Sequence, residues 1–320
     1  MHDHELKEEG PPVKLDNTMA LSFEECPRKF YWWRRGFTYA QKPNYFAFGS
    51  IWGEMQGLWH GSEGPHVGFD TPEFELSIAL CLQLGRKLWT ESGAIDDRSN
   101  SLSNLEALFL RYVETYQDEP FHLVKGGAEK GWLWPLVDTP YYLGGAIDAY
   151  IEWPGYGRLI KEDKTTGIYL NDSYIRQWEF ANQVTGYIWY LTQLFGEECW
   201  GCLMDMASKR ITKTGKTPLF ARILIQKSET QLEEFEKDWL YRIHRIEDCW
   251  NTWHFPKTMN PINCTGGIGK SPCLYQPLCL SDMPFTDLTP TQFPGIVESD
   301  ERWAPWEREM REEVKEDLPF

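Results

Sequence analysis

No run of eighteen or more consecutive apolar residues occurs in the 320-residue chain, which leaves no candidate for a membrane-spanning helix. Residues 1–12 also lack an apolar run, so the expectation is a cytoplasmic chain with no secretory leader and no membrane partner. Positive charge is scarce: 32 Lys and Arg face 48 Asp and Glu, a net charge of −16. That argues against a protein that coats nucleic acid through bulk charge. The deficit is uneven. Residues 1–16 hold five acids against two lysines, and residues 296–320 hold nine acids against four bases, so the two ends carry half of it. A basic groove is compatible with what remains. No internal repeat is visible. Eight cysteines in a chain of this expected location read as thiols or metal ligands rather than disulfides.

What is abundant is core-forming material. The chain is 42% hydrophobic and 15% aromatic, with 16 Trp, enough for one elaborated domain or two intimate lobes. Residues 1–17 read as a flexible tail, 18–285 as a single domain, and 286–320 as an acidic tail. Thr18 is a candidate N-cap for a helix ending near Cys26, and Pro27 opens a second helical turn. There, CPRKFYWWRRGF interleaves Arg28, Lys29, Arg34 and Arg35 with Phe30, Tyr31, Trp32 and Trp33. Basic groups on phosphates and rings on bases would use that pattern; an amphipathic helix with buried rings gives it equally well. Helical spacing recurs at 46–60, 74–89 and 102–116, a helical insertion over about 50–120. His60 and His66 between them are isolated and are not expected to be ligands. Residues 121–136, 199–209 and 219–226 read as strands, and 174–195 and 230–250 as long helices.

The organising stretch is 143–166, LGGAIDAYIEWPGYGRLIKEDKTT. Pro154-Gly155-Tyr156-Gly157 folds one strand back on another. Asp148 lies on the first strand. On the second, side chains alternate, so Glu162 and Lys164 project together and Asp163 projects oppositely. Two carboxylates and an ammonium in one place suit a hard divalent cation and a phosphodiester, because oxygen ligands hold Mg²⁺ or Mn²⁺ and a lysine can orient water or offset developing charge. A surface hairpin with a salt bridge produces the same letters. Gln183 and Tyr187 follow on one helix face.

Cys26 is distant in sequence from Cys264, Cys273 and Cys279, which lie among loop formers. Four thiolates could staple the chain's ends around an iron–sulfur cluster or a structural zinc; free cysteines are the alternative. Cys81, Cys199, Cys202 and Cys249 read as core. Gly269-Lys270-Ser271 mimics the end of a phosphate-binding loop, but Cys264 stands where its first glycine belongs and Pro272 where its helix should run, so it is rejected.

Taken in order, CPRKFYWW, FGSIWGE, GGAID, LIKEDKTT, Gln183-x-x-x-Tyr187 and three late cysteines resemble the PD-(D/E)XK nuclease superfamily, in its RecB-like exonuclease branch. The chain is similar to the iron–sulfur nucleases of CRISPR adaptation and of phages over roughly residues 18–280. The resemblance implies an α/β (α+β) fold with a mixed central β-sheet flanked by helices, a restriction-endonuclease-like core and a Cys-rich metal staple. It implies Asp148 and Glu162 as ligands of Mg²⁺ or Mn²⁺, with the Asp163 carbonyl completing the shell. Lys164 becomes the catalytic lysine, Gln183 and Tyr187 DNA-contacting residues at the active site, and Cys26, Cys264, Cys273 and Cys279 ligands of a 4Fe–4S cluster, with zinc as alternative. Many relatives carry a metal-binding histidine after the FG motif; here Gly53 occupies that place, and Glu54 is the candidate substitute. The expectation is a metal-dependent DNA exonuclease on single-stranded or frayed ends in recombination, repair or phage DNA processing, with recombination or replication proteins as partners. A catalytically weak DNA-binding or assembly subunit and an endonuclease are the alternatives.

Overall fold

Local chemistry sets most element boundaries in the computed structural model, which describes residues 10–41, 43–62, 64–67, 71–195, 199–210, 219–266 and 271–308. Residues 1–9 and 309–320 of the expected tails, and Gly269-Lys270 of the rejected phosphate-loop mimic, lie outside the described residues. The chain runs β1 (Lys14–Asp16), α1 (Asn17–Glu25), α2 (Pro27–Arg34), β2 (Phe37–Tyr39), α3 (Asn44–Gly61), α4 (Pro72–Ser92), α5 (Leu102–Thr115) and β3 (His122–Pro135). It continues β4 (Tyr142–Trp153), β5 (Gly157–Thr166), α6 (Asp172–Arg176), a 3₁₀ turn (Gln177–Phe180), α7 (Asn182–Phe195), β6 (Cys199–Ser208) and β7 (Phe220–Ile225). Last come α8 (Glu229–Asn251), α9 (Ile262–Thr265), α10 (Gln276–Leu280) and β8 (Ile296–Glu298).

The chain divides into two compact units. The first comprises 1–42, 133–145 and 233–305; the second comprises 43–132, 146–232 and 306–320. In the first, β1 runs parallel to the start of β4, pairing Lys14 with Tyr142 and Asp16 with Gly144. Asp16, not Thr18, caps α1: its extended backbone lets the carboxylate accept from Met19 N at 2.9 Å. Strands β2 and β8 pair antiparallel. Lys14–Asp16 and 296–298 therefore form strands in stretches expected as tails. The rings of α2 serve packing: Phe30, Tyr31 and Trp32 are buried, and Tyr31 meets Phe255 and Phe285 at centroid distances of 4.4 and 4.9 Å. The interleaved basic–aromatic run is thus mostly a core-facing helix.

The second unit is built on a mixed sheet. Strand β4 is antiparallel to β5, β5 parallel to β6, and β6 antiparallel to β7; β3 pairs β4. The β4–β5 turn closes with Tyr156 N donating to Trp153 O at 2.9 Å. Pro154 presets the first central dihedral and Gly155 supplies the positive φ of 87° that the second requires. On one face of the sheet, Ala149, Ile151, Leu159 and Leu203 pack with Phe121. Helices α3, α4 and α5 form a core around Phe48, Trp52, Met55, Trp59, Leu105, Phe109 and Tyr112 that also takes in Ala207 of β6. Thr71 caps α4, Ser101 caps α5, and Gly93 ends α4 in the left-handed conformation.

The stretch 174–195 is not one helix. Asn171 caps the short α6 through Tyr174 N, the 3₁₀ turn follows, and Ala181 is extended before α7 begins. The Glu179 carbonyl, which a continuous helix would offer to residue 183, accepts instead from Lys227 Nζ. The tertiary contact satisfies a carbonyl that the interruption at Ala181 leaves without a helical partner.

Candidate active site

Strand alternation puts Glu162 and Lys164 on one face of β5 and Lys161 and Asp163 on the other. Continuing the antiparallel register one step beyond Ala149↔Lys161 brings Asp148 opposite Glu162. Asp148 Oδ2 accepts a hydrogen bond from Asp163 N at 2.8 Å, which fixes its carboxylate at the β4–β5 seam. Lys164 Nζ pairs with Glu162 Oε1. The Glu162 side chain is 1% exposed and that of Lys164 is 25% exposed, so the lysine is the more open partner. Glu162 Oε2 is buried and has no hydrogen-bond partner among the described residues.

This arrangement has surplus negative charge. Burial first, and Asp148 second, push the Glu162 carboxyl up to about 8; Lys164 opposes them only in part. The Lys164 ammonium is held above its ordinary value: burial opposes the charge, but Glu162 and Asp148 outweigh it. The site thus favours one more cation than the protein supplies, whether a proton or a metal ion.

Helix α7 brings the Gln–Tyr pair to the same place. Tyr187 OH donates to Ala146 O at 2.8 Å and accepts from Gln183 Nε2 at 2.7 Å. Burial, then Glu162 and Asp148, hold the Tyr187 hydroxyl well above its usual value, so it stays protonated. The tyrosine therefore ties the helix to β4 two residues before Asp148.

The other face of β5 carries a cluster that sequence reasoning missed. Lys161 is fully buried and pairs with Asp163 and, at 3.3 Å, with Asp205. Arg222 donates to Asp205 Oδ2 at 2.9 Å and to both Glu119 oxygens at 2.8 and 2.6 Å. Tyr112 OH donates to Asp205 at 2.6 Å. His60 Nε2 meets Gln56 Oε1 at 3.1 Å and the Tyr112 hydroxyl at 3.2 Å. His60 lies on α3, not in a loop, and burial, Lys161 and Arg222 keep it neutral. Three carboxylates face two cations here. Burial above all drives Asp163 up to about 7, while Lys161 and Arg222 hold Asp205 below its usual range despite burial. The available signal was the charges inside apolar strands: Lys161 and Asp163 beside Glu162, Asp205 in β6, Arg222 in LFARILIQ.

Asp148, Glu162, Lys164, Gln183 and Tyr187 are thus brought together. The Asp163 side chain is not; it serves the opposite face, and its backbone N–H serves Asp148. Glu54 is half-buried on α3. Among the described residues no three or more His, Cys, Asp or Glu side chains surround one metal position.

In the first unit, Cys26 is buried and Cys264, Cys273 and Cys279 are half-buried, all as free thiols. Cys273 lies in the field of Cys26 and Cys279, and Cys279 in that of Cys26 and Cys264. Cys273 N donates to Cys264 O at 2.9 Å. Among the described residues the four cysteines do not converge on one point as a formed ligand set. Cys81, Cys202 and Cys249 are buried.

No family model matches the chain, and no curated protein matches it. Among solved structures, a presumed exonuclease from Eubacterium rectale is similar over 83% of this chain and 97% of its own, at 14% identity and a TM-score of 0.45. The protein SSO0001 is similar over 88% of this chain and 95% of its own, at 11% identity and a TM-score of 0.35. Likeness at that level fixes neither activity nor substrate.

Proposed function

We propose that the chain is a metal-dependent DNA exonuclease of the PD-(D/E)XK type, with Asp148, Glu162 and Lys164 at its centre. The observation that carries the reading is the buried Glu162 carboxylate, pressed against Asp148, with Lys164 on one oxygen and nothing on the other. An orphaned buried oxygen is costly unless something binds there. The donor set fits Mg²⁺ or Mn²⁺, which need only one or two carboxylates besides waters and substrate phosphate. Asp148 and Glu162 would hold the ion, with the Asp163 carbonyl as a third oxygen; the ion, when bound, lowers the pKa of a water and offsets phosphate charge.

The chain's own groups do the rest. Lys164, partly open to solvent, orients the attacking water and stabilises charge developing on the phosphate. Tyr187 and Gln183 brace β4 at Ala146 and so keep Asp148 in place. Asp163 N–H fixes the Asp148 carboxylate from the other side. The four thiols have the donor chemistry of a 4Fe–4S or zinc site, and their grouping within one unit supports a structural staple that closes on metal binding.

Incubation with Mn²⁺ or Mg²⁺ and two substrates, an end-labelled linear single strand and a covalently closed circle, tests the reading. The linear strand is degraded and the circle survives. Cutting of the circle would replace the exonuclease with an endonuclease, and inertness toward both would leave the fold as a binding subunit.

A further inference from the structure

Between β5 and α7 the chain presents aromatic side chains that no core absorbs. Tyr169 is 39% exposed and Phe180 78% exposed, while Tyr174 and Trp178 are half-buried. Trp178 borders the candidate site, its ring centre 5.7 Å from Lys164 Nζ, and Tyr174 meets Trp178 edge-on at 6.1 Å. Cations are interleaved. The Arg210 guanidinium sits 4.0 Å from the centre of the Tyr169 ring, and exposed Arg176 makes a loose 3.8 Å pairing with Glu179. The segment is fastened at both ends of its turn, by the Asn171 cap on Tyr174 N and by Lys227 on the Glu179 carbonyl. Two acids lie on the stretch: exposed Asp172 in the first turn of α6, and Glu179, which pairs loosely with Arg176.

We propose that Tyr174, Trp178 and Phe180 form a stacking platform for unpaired nucleobases of the strand presented to Lys164, with Arg176 and Arg210 taking its phosphates. This deepens the nuclease reading and rests on it. Every base has a π face, so such a platform selects unpaired strands without selecting sequence, and a fastened turn binds at lower ordering cost than a loose loop. A base in a duplex is already stacked on both sides, so blunt duplex gains nothing here.

Fluorescence anisotropy in EDTA, with a labelled oligothymidylate and an abasic strand of equal length, tests the platform without turnover. Wild type binds the base-bearing strand more tightly than the abasic one. Phe180→Ala and Trp178→Ala each shrink that gap by about 5- to 100-fold, the range for loss of one stacked base, and leave abasic binding unchanged. Phe180→Trp restores the gap. Arg210→Ala weakens both strands alike. Phe180 is exposed, so its truncation disturbs no core. Equal binding of the two strands by wild type, or a gap preserved in both alanine variants, overturns the proposal. Because no cleavage is scored, a protein that discriminates bases but never cuts DNA refutes the catalytic reading alone.

Discussion

Replacing Glu162 with Gln tests the electrostatics of the site in the metal-free protein. The carboxyl is raised to about 8 from an ordinary 4.5, mainly by burial and then by Asp148. In the unfolded chain it ionises near 4.5, so between the two values the folded protein holds a proton that the unfolded chain does not. A carboxyl shifted upward contributes stability that is complete below about 4.5 and is lost as pH rises through 8. At 1.36 kcal/mol per pKa unit the full swing is on the order of 5 kcal/mol, a ceiling because the neighbours can relax. Gln keeps the shape and removes the charge. Urea unfolding at pH 5, 7 and 9 in EDTA should show wild type losing several kcal/mol relative to Glu162→Gln as pH rises, with little difference at pH 5. If Mn²⁺ binds as proposed it displaces that proton, so wild type should release up to about one proton per ion below pH 8, measured by titration calorimetry in buffers of different ionisation enthalpy. A variant that tracks wild type at every pH, or is less stable than it at pH 9, would refute the reasoning.

Three further outcomes follow. Arg222→Leu leaves Asp205 and Glu119 buried without their shared cation, so denaturant unfolding should show a loss of about 3–5 kcal/mol. Tyr187→Phe strands the Ala146 carbonyl and the Gln183 amide; its stability, read by the same method, should fall by about 1–3 kcal/mol. Cys273→Ser removes one of the four grouped thiols, and elemental analysis of anaerobically purified protein should show iron or zinc near stoichiometric in wild type and largely lost in the variant.

The hairpin was legible because its determinants are local. Pro154-Gly155 specifies the turn, and period-two alternation assigns Glu162 and Lys164 to one face and Asp163 to the other. The helices at 44–61, 72–92, 102–115 and 229–251 were legible from apolar spacing, to within a few residues at each end. What stayed hidden depends on distant partners. The helix expected over 174–195 is interrupted at Ala181, where the freed Glu179 carbonyl accepts from the distant Lys227, and nothing near residue 179 announces it. Asp205, Arg222, Glu119 and Lys161 read singly as odd charges, and only strand pairing and packing turn them into one buried network. The aromatic run of α2 misleads for the opposite reason: rings suited to stacking on bases are equally suited to a core, and burial of Phe30, Tyr31 and Trp32 decides between the two. For the candidate site, sequence proposed Asp148, Glu162 and Lys164 together, and strand pairing sets Asp148 opposite Glu162; their electrostatic state was not legible. The upward shift of the Glu162 carboxyl follows from burial first and the nearness of Asp148 second, which only the folded chain shows.

The central claim is that Asp148, Glu162 and Lys164 form a metal-dependent phosphodiester-cleaving centre. Single-turnover cleavage of an end-labelled single strand, by metal-free protein with Mn²⁺ added back, tests it most directly when wild type, Glu162→Gln and Lys164→Ala are compared. The account predicts cutting by wild type only when metal is present, and rates at least about 100-fold lower in both variants. Cleavage by wild type in EDTA, or undiminished cleavage by either variant, would contradict it.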